Sequence, residues 1–137
     1  MKLSELNIEQ RTGLTRYIMN TLDDWGLSND QCWALLDLPG KRSGKSLRRF
    51  RDNAPFPDEK QVNMRIDHLY GIIEALRTTY PRNQNMGSQW MRKPNRKFQK
   101  TSPLSIIVND GMSGLVRVRL HLDCTYAWAV TDDENVY

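Results

Sequence analysis

One stretch of the sequence, residues 58–80, has a periodicity that only a long helix satisfies. Its apolar side chains recur at alternating steps of four and three residues, at Val62, Ile66, Leu69, Ile73, Leu76 and Tyr80. This spacing places them on one face of a helix, and Pro81 ends the pattern because proline interrupts a helix. Other helices must cover such a face, so the stretch predicts a helical core. Met64 and Ile72 lie off the seam and predict a second apolar patch, buried against a partner chain.

Three further helices are predicted before this seam. The first spans residues 7–25, where the helical spacing is carried by Leu14, Ile18, Leu22 and Trp25. Gly26 follows as a stop signal. Ser28 and Gln31 have the spacing of a capping box, so a second helix begins there. It ends near Leu38-Pro39-Gly40, since a helix rarely continues through Pro-Gly.

The third predicted helix, residues 45–52, belongs to the most basic part of the chain. Residues 41–51 contain six cations and no acid, while Leu47 and Phe50 share one side of the helix. Two helices joined by a tight glycine-containing turn, the second with a basic outer face, indicate a helix-turn-helix, whose second helix enters the major groove of DNA. A charged face is often only solvated, but an all-cationic face without acid partners is destabilised by repulsion, which favours DNA contact. The predicted DNA-binding residues are Lys41, Arg42, Ser43, Lys45, Ser46, Arg48, Arg49 and Arg51, with Ser43 or Ser46 as the helix cap.

Composition excludes several functional classes. The 137 residues suffice for one compact domain or a small domain with appendages. A run of ~18 apolar residues is absent, as is the apolar core of a signal peptide, so we expect a cytoplasmic protein. Cys32 and Cys124 have no metal or redox spacing, and we expect both to be buried. The sequence has no phosphate loop, metal-ligand spacing or nucleophile motif, so we expect no catalytic residue, no metal and no cofactor. The two histidines, His68 and His121, lack partners at ligand spacing.

The second half of the chain alternates short helices with turn formers. A helix over 88–93 carries Trp90 and ends before Pro94-Asn95, after a polar turn at 82–87. Phe98 supplies an apolar contact after the turn. Ser102-Pro103 begins the next helix, with serine at the cap and proline in the first turn. That helix ends at Asn109-Asp110-Gly111.

The segment Val116–Asp123 alternates apolar and polar residues. This alternation by itself predicts a β-strand. As a helix, the same segment would place Leu115, Val116, Arg119 and Leu120 on one face, with the aliphatic stem of Arg119 buried. A single strand with no pairing partner is hard to stabilise, so we predict a helix here.

The order of these residues resembles the toxin-binding segment of the Xre/MbcA/ParS antitoxin family. The resemblance covers residues 87–128, and the preceding Trp25–Pro81 resembles the Xre-like helix-turn-helix of the same antitoxins. The residues that carry it are Trp90, Pro94-Asn95, Phe98, Pro103-Leu104, Ile106-Ile107, Gly111, Val116 and Leu120–Asp123. The chain departs from the family at Gln99-Lys100, where a glycine pair is common.

The resemblance implies an all-α protein, a compact helical bundle with an N-terminal helix-turn-helix (1–81), a toxin-binding domain (82–128) and an acidic tail (129–137). It implies a type II antitoxin that represses its own operon and neutralises a cognate toxin by covering its active site. The toxin would resemble a RES-domain enzyme that consumes NAD, or an ADP-ribosyltransferase. A homodimer that binds operator DNA is expected, and no association with a membrane is expected. The implied toxin-binding residues are Trp90, Pro94, Asn95, Phe98, Trp128, Asp132, Asp133, Glu134 and Tyr137.

Two other interpretations of the sequence remain open. A stand-alone transcriptional regulator would keep the basic helix and use residues 87–128 only structurally. An accessory protein of a phage or host would bind another protein through that segment and would not bind DNA. A second basic block, Arg92–Lys100, suits either DNA or an acidic partner surface.

Overall fold

The computed structural model describes the backbone of residues 3–40 and 44–135, and their side chains except those of Ser4, Gln84 and residues 125–135. The protein is all-α, as predicted, and its described residues contain no strand. Seven α-helices follow one another along these residues: α1 (Ile8–Asp24), α2 (Asn29–Leu36), α3 (Gly44–Asp52), α4 (Lys60–Thr79), α5 (Gln84–Arg92), α6 (Pro103–Asp110) and α7 (Met112–Asn135). Short 3-10 helices occupy Leu3–Glu5 and Arg96–Phe98.

Contacts divide the chain into two units, Met1–Asp67 and His68–Tyr137. The division falls inside α4, and the predicted end of the first domain, Pro81, lies just beyond the end of that helix. The seam of α4 is buried from Val62 to Leu76, and Ile72 is fully buried too, so of the two residues off the seam only Met64 remains exposed.

The first unit is held by local caps and one buried arginine. Asn7 and Ser28 form the capping boxes that begin α1 and α2, the second as predicted. Arg11, only 8% exposed, donates hydrogen bonds to the carbonyl oxygens of Phe56 (2.8 Å) and Pro57 (2.8 Å) and to the side-chain oxygen of Asn63 (2.6 Å). These acceptors satisfy a cation that would otherwise be expensive to bury.

The second unit places α5 on α6 and α6 on α7. Ser102 caps α6 and Pro103 occupies its first turn, as predicted. The helix α5 begins at Gln84 instead of Ser88, because the side chain of Asn83 caps it by accepting a hydrogen bond from the Asn85 amide. Most of the predicted turn at 82–87 is therefore helical.

Residues 116–123 are helical, which confirms the predicted helix over the strand. The predicted buried face of this helix is wrong, however: Leu115, Val118 and Leu122 are buried, whereas Leu120 is 57% exposed. The side chain of Arg119 is 30% exposed; it contacts His68 Nδ1 at 3.2 Å and approaches Asp123 at 4.0 Å. An arginine with polar partners can therefore lie beside the buried face of a helix. Because such a residue is polar, it interrupts the apolar spacing from which a helix would be predicted.

Candidate functional site

The basic helix α3 has one anchoring face and one cationic face. Leu47 is buried, and the half-buried ring of Phe50 meets Phe56 edge-on at a centroid distance of 5.2 Å. Lys45, Arg48 and Arg49 lie on the exposed side, and no ion pair joins them to another residue in the described part of the chain. Three solvated cations on a helix anchored from behind can contact phosphate groups.

Arg51 has a different role from its neighbours. Its guanidinium forms a two-pronged ion pair with Asp23 at 2.9 and 3.0 Å and also donates to Asn29 Oδ1 at 2.9 Å. Hydrogen bonding to Asp23 raises the pKa of Arg51 above its ordinary value. Arg51 therefore ties α3 to the end of α1 and the start of α2. The structure thus gives Arg51 a positioning role, and its predicted contact with DNA stays a prediction.

The rest of the predicted DNA-binding set divides in two. Lys41, Arg42 and Ser43 lie outside the described residues. Ser46 is half-buried inside α3, which begins at Gly44, so Ser46 does not cap the helix. The structure thus places Lys45, Arg48 and Arg49 together on one exposed surface, and Ser46 near its buried side.

The two cysteines differ from each other. Cys32 is buried, as predicted, and burial together with the nearby Asp23 carboxylate raises the pKa of its thiol to about 11. The thiol is therefore protonated and unreactive at neutral pH. Cys124 is exposed on α7, so the expectation that it is buried is wrong. No group of three histidine, cysteine or acidic side chains suited to a metal occurs among the described residues.

An aromatic cluster lies at the centre of the second unit's candidate site. The rings of Trp90 and His121 are stacked, with centroids 6.0 Å apart and planes 13° from parallel. Phe98 meets His121 edge-on at 4.9 Å and Trp90 at 6.3 Å. The guanidinium of Arg117 lies 5.4 Å from the Phe98 centroid, within cation–π range. Burial and the charge of Lys97 lower the pKa of His121, which favours the neutral form of its ring.

The loop after α5 is shaped by Asn95. The Asn95 side chain accepts a hydrogen bond from the Lys97 amide, and its carbonyl accepts from the amides of Phe98 and Lys100. Gln99 and Lys100 both have positive φ, 55° and 66°, in the left-handed region that favours glycine. The position that departs from the antitoxin family in sequence therefore has the backbone conformation that a glycine pair adopts readily.

The predicted toxin-binding residues occupy different environments. Phe98 is 3% exposed and Trp90 half-buried, while Asn95 is half-buried and engaged in the loop. All three contribute to the packing of the unit, whereas Pro94 is exposed, and toxin contact at these residues stays a prediction. The side chains of four other predicted contacts lie outside the described residues, although α7 carries their backbone: Trp128, Asp132, Asp133 and Glu134. Tyr137 lies wholly outside them.

Two features of α7 escape the sequence analysis. Leu120 is an exposed apolar side chain on α7, and the residues one helical turn before and after it, Arg117 and Cys124, are also exposed. Gly114 lets α7 approach α6 closely, because a Cβ atom there would overlap the carbonyl oxygen of Ile106. The exposure of Leu120 could be predicted from the sequence only if the buried face of α7 were known. The close approach at Gly114 depends on a tertiary contact with α6.

Comparison with other proteins adds one relative. The chain is 28% identical over 101 residues, 74% of each chain, to uncharacterized protein y4oB of Sinorhizobium fredii (strain NBRC 101917 / NGR234). No family model matches the chain, and no solved structure matches it. None of the described helices is long and apolar enough to cross a membrane.

Proposed function

We propose that this protein is the antitoxin of a type II toxin-antitoxin system that works in the cytoplasm. It binds operator DNA through α3 and represses its own operon. It binds a cognate toxin through the second unit, and the toxin is an NAD-consuming RES-like enzyme; an ADP-ribosyltransferase-like toxin is the second choice. The protein is not itself an enzyme in this proposal.

The observation that supports this proposal most strongly is the left-handed pair Gln99-Lys100. A non-glycine residue in this region is disfavoured by about 1–2 kcal/mol, so two in succession are unusual. They stand where antitoxins of the Xre/MbcA/ParS type commonly have a glycine pair. A backbone that glycine would adopt readily at this position supports the proposal, because the family commonly has glycine there.

The DNA-binding part of the proposal depends on α3. Lys45, Arg48 and Arg49 present their charges to solvent, while Arg51 fixes the helix to α1 and α2. Helix-turn-helix proteins usually read two half-sites as dimers, so we propose a homodimer on DNA. Replacing both Arg48 and Arg49 by glutamine should weaken operator binding and leave toxin capture intact. Unchanged operator affinity would remove α3 from the proposal.

The toxin-binding part depends on α7. Leu120 supplies an exposed apolar contact of the kind that anchors protein interfaces. The helical backbone continues to Asn135, through the acidic residues 132–134. Carboxylates suit the cationic groups with which an NAD-consuming enzyme holds phosphates. We propose that this end of the chain covers the toxin's substrate entrance.

The decisive experiment is co-purification with the product of the neighbouring gene, followed by an assay of NAD consumption. Leu120→Glu should reduce capture of that enzyme, whereas Met86→Glu, at a similarly exposed apolar residue of α5, should not. Deleting residues 129–137 should restore toxin activity while the complex still forms. If inhibition survives this deletion, the C-terminal end does not cover the active site.

A stand-alone transcriptional regulator is the second candidate. The buried Phe98 and the half-buried Trp90 favour it, because their contacts give residues 87–122 a structural role that needs no toxin. A regulator would bind its operator through α3 but capture no product of a neighbouring gene. The co-purification experiment therefore separates the two candidates.

A further inference from the structure

The end of α5 and the segment that joins it to α6, residues 92–100, form a dense basic surface, which we name the basic loop. Its five exposed cations are Arg92, Lys93, Arg96, Lys97 and Lys100. Over residues 84–122 the sequence has seven lysines and arginines and a single acid, Asp110. No ion pair engages any of the five within the part of the chain that the structure describes. The basic loop is therefore a region of concentrated positive potential.

Most backbone amides of the basic loop are already used in its own hydrogen bonds, so its side chains are the main groups that could bind an anion. The backbone amides of Lys97, Phe98, Gln99, Lys100 and Thr101 all donate to oxygens within the loop or the preceding turn. An anion-binding nest would require such amides to point outward without partners. The side-chain charges instead project from a loop whose own hydrogen bonds fix its shape.

The surroundings of the basic loop favour a nucleic acid over an acidic protein. Protein interfaces have an apolar centre, but the apolar members of this segment, Phe98 and Trp90, turn towards His121. Apart from Pro94, the exposed residues from Arg92 to Lys100 are charged or polar, as in protein–DNA interfaces. The same contacts engage the rings of Trp90 and Phe98 with His121, which disfavours their use as a stacking platform for unpaired bases. A duplex, contacted through its phosphates, is the partner that fits.

We propose that the basic loop is a second nucleic-acid contact, which binds the phosphate backbone of duplex DNA without reading its sequence. This contact is distinct from α3 and requires no toxin, so it goes beyond the proposed function. Phosphate contacts position a protein on DNA but carry no sequence information. The loop therefore adds affinity equally to operator and non-operator duplexes.

The test is a salt titration of duplex binding, measured by fluorescence anisotropy with a short random-sequence duplex and with the operator. The loop variant is Arg96→Gln/Lys97→Gln/Lys100→Gln. Its control removes the same charge from other exposed positions, Arg16→Gln/Lys60→Gln/Arg82→Gln. Circular dichroism and thermal melting establish that both variants are folded.

Each phosphate contact that is lost should reduce the slope of log K against log salt by about 0.9. At physiological salt this change in slope corresponds to a loss of duplex affinity of roughly fivefold per cation, or on the order of 100-fold for the three cations. We expect this loss on both duplexes for the loop variant and little change for the control. The variant of Arg48 and Arg49 should behave differently: these residues lie on the helix proposed to enter the major groove, where bases are also in reach, so affinity for the operator should fall more than affinity for the random duplex.

Three results would overturn the inference. Unchanged duplex affinity in the loop variant would show that the loop does not touch DNA. Equal losses in the loop and control variants would reduce the effect to net charge. Binding of poly-glutamate, a model of an acidic protein surface, can be measured in the same way. If the loop variant loses more affinity for poly-glutamate than for the duplex, the loop binds an acidic protein instead of DNA. None of these results bears on α3, so a failure of this inference is distinguishable from a failure of the proposed function.

Discussion

Replacing Gly114 by alanine should destabilise the second unit, although alanine is the better helix former. A methyl group at Gly114 would overlap the carbonyl oxygen of Ile106 and lie 2.9 Å from its carbonyl carbon and 3.0 Å from the Cα atom of Ile107. Carbon atoms pack at about 3.5–4.0 Å. The obstacle is backbone, which cannot rotate away as a side chain can, so α7 must move away from α6.

The size of the effect follows from two opposing terms. Overpacking of this kind costs about 1–3 kcal/mol, and because the obstacle is backbone we take the upper part of that range. The higher helix propensity of alanine stabilises the folded state by at most about 1 kcal/mol relative to glycine. The free energy of unfolding should therefore fall by about 1–2 kcal/mol, which lowers the melting temperature by roughly 3–10 °C in a chain of this size.

The matched control is Gly13→Ala in α1. Gly13 is also helical, but a Cβ atom there would meet nothing within 4 Å. This variant should gain about 0.5–1 kcal/mol through the lower entropy of its unfolded state. Urea unfolding of both variants, followed by circular dichroism, measures the opposite signs. A Gly114→Ala protein as stable as the wild type would refute the close approach of α6 and α7.

Three further predictions concern stability and charge. Arg51→Met should lower the free energy of unfolding by about 0.5–1 kcal/mol, a value kept small because solvent screens the half-exposed ion pair, and urea unfolding checks it. Lys100→Gly should raise that free energy by about 0.5–1 kcal/mol by relieving a left-handed lysine, whereas the same change at the helical Arg92 should lower it. His121 has a lowered pKa, so stability should be lost as the pH falls through about 6.5, the value in the unfolded chain, and the loss should be complete below the folded pKa. Lys97→Gln should raise the pKa of His121 in an NMR titration and reduce this loss; an unchanged pKa would exclude Lys97 as its cause.

Local signals in the sequence predict most helices of this fold. The capping box at Ser28 and the seam of α4 depend on neighbours three or four residues away, and such patterns are complete within the sequence itself. The strand-like alternation of residues 116–123 is misleading because Arg119 lies beside the buried face with His68 as its partner. That partner is remote in sequence, so a local pattern cannot reveal it.

The candidate site is predictable to the level of segments but not of individual roles. The basic composition of residues 41–51 indicates a cationic helix, yet it cannot show that Asp23 engages Arg51 and leaves Arg48 and Arg49 to solvent. In the same way, Trp90 and Phe98 are recognisable as important in the sequence. Whether an aromatic residue binds a partner or packs on a histidine is decided by tertiary contacts.

The exposed cations of α3 work against the stability of their own helix. Lys45 and Arg49 are one helical turn apart, a like-charge pair that is unfavourable by about 0.2–0.5 kcal/mol. Arg49→Gln should therefore slightly raise the free energy of unfolding while it lowers operator affinity by roughly fivefold at physiological salt. Urea unfolding and anisotropy on the same preparation measure the two quantities. A gain in the free energy of unfolding together with a loss of operator affinity would show that the charge of Arg49 serves binding. If the α3 face is only solvated, the variant should gain stability and lose no affinity.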